Sequence, residues 1–354
     1  MKQMKATGSV PPSCARYIYS NINILLIFLC LPAFLFAQDK KFEFAKPLMG
    51  SQFRLVFYAP GDSVAVAAAK AVFAHLGQLN EVMSDYLDGS EVNRLSALSG
   101  NGYWIRPGDK LFAILDSAQV LSRKTNGAFD VTIGAVTQVW RRASRLNRFP
   151  DPGDIRNALK NSGYGLMEID GKNQLVRLKK TGMRLDLGGI GKGFAADEGI
   201  RMLKSMGILS ALVDAGGDLA LSAPPPGEKG WKISVSSGAA NESDEIIVVS
   251  DCGVATSGVT YRYIEHKGKK YSHIVDPRTG VGLTREVRST IIAPTGTRAD
   301  ALATAVSVLG IKKSRRIMKK KFPEVRAWLL EKAIDTGKTR SWSTLETEKL
   351  RADR

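Results

Sequence analysis

Asp300 and Thr304 stand four residues apart in a stretch with helical spacing, so their side chains would share one face, a turn apart. A carboxylate and a hydroxyl so placed could hold Mg²⁺, which takes hard oxygen ligands together with substrate phosphate. The same segment contains Thr297-x-x-Asp300, which also fits a helix capping box, and Thr304 could bond back to its own helix. A second candidate is Leu185-Asp186-Leu187-Gly188-Gly189-Ile190-Gly191-Lys192-Gly193. Met183, Leu185 and Leu187 alternate with Arg184 and Asp186 as in a half-buried strand, and residues 194–206 carry apolar residues at helical spacing. Glycines at such a strand-to-helix junction let backbone N–H groups approach a phosphate, the helix N-terminus attracts anions, and Lys192 adds a full charge. The run is not a P-loop, which needs Ser or Thr after its lysine, and its last spacing is wrong for a dinucleotide turn. A glycine-rich turn with a solvated lysine fits the same local pattern.

Three histidines are present. His75 falls in a helical pattern and His266 in a hairpin turn, whereas His273 ends a strand just before an Asp-Pro turn. There a neutral imidazole could accept a proton near neutral pH, or serve structure alone. Asp186 could accept hydrogen bonds from a base or ribose, or cap the following helix. Tyr86 and Phe129 could stack on a planar ring or belong to the core.

The elements that must position these residues are legible in outline. Residues 42–58 read as a strand pair broken at Pro47, followed by helices at 63–84, 107–124 and 154–160. Asn126-Gly127 marks a left-handed helix stop, and 131–140 is an apolar run. A hairpin arm at 176–187 leads into the glycines. Strands follow at 210–213, 231–235 paired with 246–249, a hairpin around 265–269, and 288–293 before a helix at 298–309. Helices interleave with frequent hairpins, and the glycine turn lies deep in the chain. The fold class is therefore α+β, with mixed, largely antiparallel sheets and packed helices.

With 354 residues, 44% of them apolar, the chain can bury a full core. Its formal charge of +17 suits an anionic substrate or a membrane surface; no nucleic-acid motif accompanies it. Residues 1–37 read as an export signal: Lys2, Lys5 and Arg16 precede the apolar run 22–37, with an uncleaved anchor as the alternative. Phe28 and Leu29 before Cys30 argue against a lipoprotein. Loss of the leader removes Cys14 and Cys30 and leaves Cys252 alone, so no intramolecular disulfide can form. The expected organisation is a leader to residue 37, one domain over 38–340 and a polar tail over 341–354.

Eight ordered motifs resemble the ApbE family, the FAD:protein FMN transferases, across essentially the whole of the chain after the leader. They are Met49-Gly50; Met83-Ser84-x-Tyr86 with Ser90-Glu91; Gly127-Ala128-Phe129-Asp130; 185–193; Ala215-Gly216-Gly217-Asp218; Ala255-Thr256-Ser257-Gly258; 272–280; and Ala299-Asp300 with Thr304. The resemblance implies an ApbE-like fold and an Mg²⁺-dependent enzyme that passes FMN from FAD to a Thr or Ser hydroxyl of another exported protein, releasing AMP. It implies FAD contacts from Met49, Tyr86, Ala128, Phe129, Asp130, Asp186, Lys192, Ile274 and Val275, metal contacts from Asp300, Thr304 and the Gly189 carbonyl, and His273 as candidate base. Some relatives carry another acidic ligand where this chain has Ala303. The implied recipients are flavin-carrying subunits of membrane redox pumps or similar flavoproteins. This chain is not its own recipient, since Ser237-Gly238-Ala239-Ala240 lacks the accepting hydroxyl. The implied location is the periplasm or the periplasmic face of the inner membrane. An Mg²⁺-dependent FAD pyrophosphatase and a non-catalytic flavin-binding protein are the alternatives.

Overall fold

The computed structural model describes residues 39–235, 245–258, 263–332 and 338–344. The expected leader and the Ser237–Ala240 segment lie outside them. The chain falls into two units, Met1–Ala37 and Gln38–Arg354, and the second carries everything below.

It opens with an antiparallel pair, β1 (Lys40–Leu48) and β2 (Ser51–Ala59), joined by Met49 and Gly50 at φ 49° and 70°, the backbone of a tight two-residue hairpin turn. Pro47 does not break the pair as its type suggests. β1 is an edge strand, where a residue without an N–H is tolerated. Helices α1 (Asp62–Met83), α2 (Glu91–Ala97), α3 (Asp109–Lys124), α4 (Gly134–Arg145) and α5 (Pro152–Leu159) follow. The short α2 has no legible period, and only its cap announces it: Ser90 Oγ accepts from the Asn93 N–H at 3.2 Å. Next come the pair β3 (Met167–Asp170) and β4 (Leu175–Leu178), helix α6 (Gly191–Ser205), and strands β5 (Ala211–Ala215) and β6 (Asp218–Leu221). β7 (Trp231–Val235) pairs with β8 (Glu245–Val249), and β9 (Cys252–Ser257) follows. The hairpin β10 (Tyr263–His266) and β11 (Lys269–Ser272) precedes the short pair β12 (Val275–Asp276) and β13 (Val281–Gly282). The described chain closes with β14 (Glu286–Ala293), α7 (Gly296–Lys321), β15 (Arg326–Lys332) and β16 (Thr339–Ser343).

Eight strands form one sheet in the order β1-β2-β5-β6-β9-β14-β15-β16, with every neighbouring pair antiparallel. This is the expected α+β class. β16 carries the sheet past residue 340, where the polar tail was expected to begin. Trp342 packs on the core and the Thr344 N–H donates to the Ala327 carbonyl at 2.9 Å.

One face of the sheet is covered by α1, α6 and α7, whose apolar sides pack on Phe53, Leu55 and Phe57. The other face packs on the β7–β8 pair through Val56, Leu212, Trp231 and Ile247. Residues 183–187 alternate in burial as expected, yet form no extended strand and pair only through one isolated parallel bridge, Arg184 with Ile133. Instead the Asp186 N–H donates to the Val131 carbonyl (2.8 Å), the Gly134 N–H to the Arg184 carbonyl (3.1 Å) and the Leu185 N–H to Ser96 Oγ (3.1 Å). An extended backbone buried on one side gives a period of two whether or not a ladder forms.

Helices α6 and α7 meet backbone to backbone. A Cβ on Gly193 would fall 2.2 Å from the Gly296 carbonyl oxygen, so only glycine permits this approach. Asp197 on α6 accepts from the Gly296 N–H (2.7 Å), the Thr297 N–H (2.8 Å) and the Thr297 hydroxyl (2.5 Å), while Thr295 caps the Arg298 N–H at 3.2 Å. The start of α7 is thus satisfied without a Thr297–Asp300 capping box. At Gly310 (φ 68°, ψ 171°) α7 leaves helical geometry. There Arg285 donates to the Ser307 and Val308 carbonyls (3.2 and 2.5 Å), and Glu331 accepts from the Ile311 N–H (3.1 Å).

Glu198 on α6 ties α1 and α3 to α6, with His75 Nε2 at 3.0 Å, Lys110 Nζ at 2.6 Å and Arg201 beside it. Burial alone would raise its carboxyl pKa, but the hydrogen bonds from Arg201, Lys110 and His75 outweigh burial and bring it down to about 2, from an ordinary 4.5. A folded-state pKa below the unfolded one contributes stability that is complete above pH 4.5 and fades as pH falls toward 2. Glu198→Gln should therefore lower the melting temperature at pH 7, with the gap to the parent shrinking through that acid window. A gap that stays constant from pH 6 to pH 3 would contradict this.

Candidate active site

Asp300, 6% exposed, lies in the first turns of α7 against α6, and its Oδ2 accepts from the Gly193 N–H at 3.0 Å. Ile190 at the start of α6 supplies no side-chain cap, so a carboxylate from the neighbouring helix fills that place. The N–H groups expected to face a phosphate therefore hold Asp300 instead. Lys192 pairs with Asp218, the first residue of β6. Burial pushes the Asp300 carboxyl up, to about 8, the nearby Asp218 charge pushes the same way, and Lys192 opposes both. Burial likewise raises Asp218, against the pull of Lys192. For Lys192 burial works against the charged form, but Asp218 and Asp300 outweigh it and hold the ammonium above its usual range.

Two buried carboxyls share one ammonium, so the cluster carries an excess negative charge only when both are ionised, the state that a further cation would favour. Thr304 is half-buried one turn beyond Asp300. Ser307 bonds back to the Ala303 carbonyl at 2.8 Å, whereas Thr304 makes no such bond among the described residues. A Cβ on Gly189 would stand 2.9 Å from Thr304 Oγ1 and 3.5 Å from the Phe129 ring, so the Gly189 backbone lies alongside that hydroxyl. Asp300 and Thr304, with the Gly189 backbone alongside, offer hard oxygens that carry one charge when Asp300 is ionised. No group of three or more His, Cys, Asp or Glu residues is placed to hold a metal ion by itself among the described residues. That donor chemistry fits Mg²⁺, which retains water and leans on substrate phosphate. The residues are compatible with the expected metal.

Tyr86 is 69% exposed in the turn after α1, and the Arg141 guanidinium carbon sits 4.3 Å from its ring centroid. Arg141, on α4, also pairs with Asp85 and with Asp186 (2.8 Å). Asp186 additionally accepts from the Gly188 N–H at 2.9 Å and does not cap α6. Burial raises the Asp85 pKa, Asp186 adds to that, and Arg141 counters them. The sequence did not single out Asp85 or Arg141, although the Asp-Tyr dipeptide was a usable hint.

Two of the expected ligand contacts, Asp130 and Val275, have side chains that turn inward. Asp130 has both carboxyl oxygens engaged, by the Thr132 N–H (2.8 Å) and hydroxyl (2.7 Å) and by the Tyr164 N–H (2.7 Å), so its side chain turns inward and fastens the turn after α3 to residue 164. Val275 points into a cluster with Ile133, Val136, Trp140 and Ile155. Ile274, its neighbour, instead packs on Ala128, Leu283 and Val308, the last one turn beyond Thr304. His273 is exposed in the link between β11 and β12. Ala128 and Phe129 are buried, Phe129 with its ring edge toward Gly189. Met49 is half-buried in a turn whose next residue, Ser51, closely abuts Gly216 in the loop leading to Asp218: a Cβ on Gly216 would lie 2.6 Å from Ser51 Cβ.

The antiparallel α+β scaffold thus sets a buried carboxylate–ammonium cluster beside oxygen donors, with an exposed aromatic stacked on arginine in the same chain. The chain belongs to the ApbE family, whose family model matches residues 49–329. It is 32% identical over 329 residues to the FAD:protein FMN transferase of Treponema pallidum, covering 88% of this chain and 90% of that protein. It is 28% identical to one from Klebsiella pneumoniae, covering 77% and 79%. Among solved structures it resembles the apo form of Pseudomonas stutzeri flavinyl transferase ApbE, with 28% identity, a TM-score of 0.77, and 88% of this chain and 97% of that one covered. The ApbE protein of Thermotoga maritima matches with a TM-score of 0.74 and 29% identity over 85% and 96% of the two chains. The expected ApbE-like fold is therefore the one observed.

The internal role of Asp130 gives a direct test. Asp130→Ala strands three buried donors and should cost about 3 kcal/mol in urea-induced unfolding. A loss under about 0.5 kcal/mol would show that the carboxylate is not the brace described here.

Proposed function

We propose that the protein transfers FMN from FAD to a Thr or Ser hydroxyl of another exported protein and releases AMP. Family membership supports the flavin chemistry, and the observation that carries the reading is the buried Asp300–Lys192–Asp218 cluster beside Thr304 and Gly189. The acceptor oxygen forms a bond to the FMN phosphorus, the bond from that phosphorus to the bridging oxygen breaks, and AMP departs with the bridging oxygen. The hydroxyl proton passes to a base, for which His273, exposed between β11 and β12, is the candidate. Mg²⁺, when bound by Asp300, Thr304 and the Gly189 carbonyl, supplies neutralisation of the pyrophosphate charge. Lys192, held in place by Asp218, contributes a fixed positive charge beside it. Tyr86 offers an open ring face, and Asp186 spare lone pairs, to the rest of FAD.

Export to the periplasm or to the periplasmic face of the inner membrane completes the reading. The leader supports it. So does the basic end of α7, where Lys312, Lys313, Arg315, Arg316, Lys319, Lys320 and Lys321 are all exposed, a face suited to an anionic membrane surface. Cys252 does not enter the chemistry, since burial and then Asp251 push its thiol up to about 12. The acceptors would be flavoproteins such as flavin-carrying subunits of membrane redox pumps.

The test incubates the protein lacking residues 1–37 with FAD, Mg²⁺ and an exported acceptor domain, then weighs the acceptor and assays AMP. An acceptor heavier by FMN with matching AMP is the expected result. AMP without added mass would mean hydrolysis, and neither would mean binding alone. Asp300→Ala should cut Mg²⁺-dependent turnover about a thousandfold, and full activity would remove Asp300 from the metal site. His273→Ala should slow transfer about a hundredfold while leaving FAD affinity nearly intact; an unchanged rate would dismiss it as the base. Because the Asp300 carboxyl is raised toward 8, Mg²⁺ uptake at pH 7 should expel protons and tighten as pH rises. Calorimetric heats that do not vary with the ionisation enthalpy of the buffer would contradict that.

A further inference from the structure

Arg141 joins three segments that are distant in sequence. One amine of its guanidinium meets Asp85 in the turn after α1, the other meets Asp186 at 2.8 Å in the extended run before α6, and its flat face lies 4.3 Å from the Tyr86 ring centroid. The two carboxylates are nearly enclosed, with side-chain exposures of 7% and 9%. A lysine could neutralise either but could not reach both in one plane while stacking, because only guanidinium offers a rigid fork and an aromatic-compatible face together.

The Tyr86 ring lies open to solvent, which support of the fold alone does not require. Its backbone is fixed from below: Asn93 Nδ2 donates to the carbonyls of Asp85 (3.2 Å) and Leu87 (2.8 Å), and the Tyr86 N–H reaches Ser84 Oγ at 3.3 Å. The ring itself stays 69% exposed, with the guanidinium against one face. A large aromatic held in solvent by a cation on one side presents its other face to a planar partner. Asp186 is oriented by the same guanidinium and by the Gly188 N–H, so its remaining lone pairs are aimed without a search among rotamers.

We propose that Arg141 is a positioning residue for substrate: it presets the Tyr86 ring and the Asp186 carboxylate as one platform that receives a planar, donor-bearing ring of FAD. This rests on the FAD reading above. Arg141 acts through its two neighbours and takes no part in phosphoryl transfer, so its loss should appear in binding and not in the chemical step. Removing it also leaves Asp85 and Asp186 facing each other without a counter-charge, which would turn Tyr86 loose and splay the pair.

The experiment measures FAD affinity by fluorescence titration and separates KM from kcat by AMP release at saturating FAD. It uses the parent, Arg141→Ala, Arg141→Lys, Tyr86→Ala and the Arg141→Ala/Tyr86→Ala double variant. Arg141→Ala should weaken FAD binding and raise KM about twentyfold, with kcat within about threefold of the parent, and Arg141→Lys should recover less than half of the lost affinity in free-energy terms. The double variant should bind within about threefold of the weaker single one, because both changes remove the same platform. Equal FAD affinity in parent and Arg141→Ala would overturn the proposal, as would fully additive losses in the double variant. If Arg141→Ala fails to fold by its melting curve, Arg141→Lys decides: parent-like affinity in that folded variant would also overturn it. A parent protein that binds no FAD would instead defeat the underlying reading, an outcome distinct from all of these.

Discussion

A buried carboxylate cannot stay ionised without partners, and here two of them, Asp300 and Asp218, share a single ammonium, Lys192. Much of the surrounding architecture follows from holding that imbalance in place. The glycines at the start of α6 bring its backbone against α7, so the Gly193 N–H can reach Asp300, and Asp197 on the same helix secures the opposing backbone of α7. Asp218 is delivered by the first residue of a central strand, which cannot shift without disturbing the sheet. The cluster is therefore built from the most rigid parts of the molecule, as a site that must present charge without reorganisation requires.

The Asp300–Lys192–Asp218 cluster and the Arg141–Tyr86 stack are linked by one short stretch of chain. Asp186 faces Arg141 and Tyr86, Gly189 lies by Thr304 and Phe129, and Lys192 meets Asp218. The spacing that first resembled a phosphate loop thus works as a spacer between a ring platform and a charge cluster. Its glycines are needed for two reasons: Gly189 because Thr304 leaves no room for a side chain, and Gly193 because the other helix is already there.

Much of this was legible beforehand where the signal is local. The period of α1 and α3, the Asn126-Gly127 stop, the paired strands β7 and β8, and the Asp300–Thr304 spacing all depend on residues close in sequence. What could not be read depends on long-range partners. Arg141 is 45 residues from Asp186 and 56 from Asp85, and nothing local distinguishes it from Arg142. Asp130 carried a motif position, but its role depended on Tyr164, 34 residues on. The rival reading of Thr297 and Asp300 as a capping box failed for a related reason. Thr295 had already taken the cap, and Asp197 came from another helix to satisfy the same turn. Alternation at 183–187 reports one-sided burial, and the single bridge that it makes, Arg184 with Ile133 about 50 residues earlier, leaves no trace in the local sequence.

The break at Gly310 gives α7 a further property. Arg285 takes the last carbonyls of the first half and Glu331 the first N–H of the second, so each half has terminal partners of its own, and a side-chain bond from the Ser314 hydroxyl to the Val306 carbonyl (3.3 Å) spans the break. The half with Asp300 and Thr304 therefore ends separately from the half that carries the exposed cations. Substitutions can retune the outer surface, in charge or in what it adheres to, while the inner half keeps its register. The glycine works as a firebreak between a part of the protein under chemical constraint and a part free to follow its surroundings.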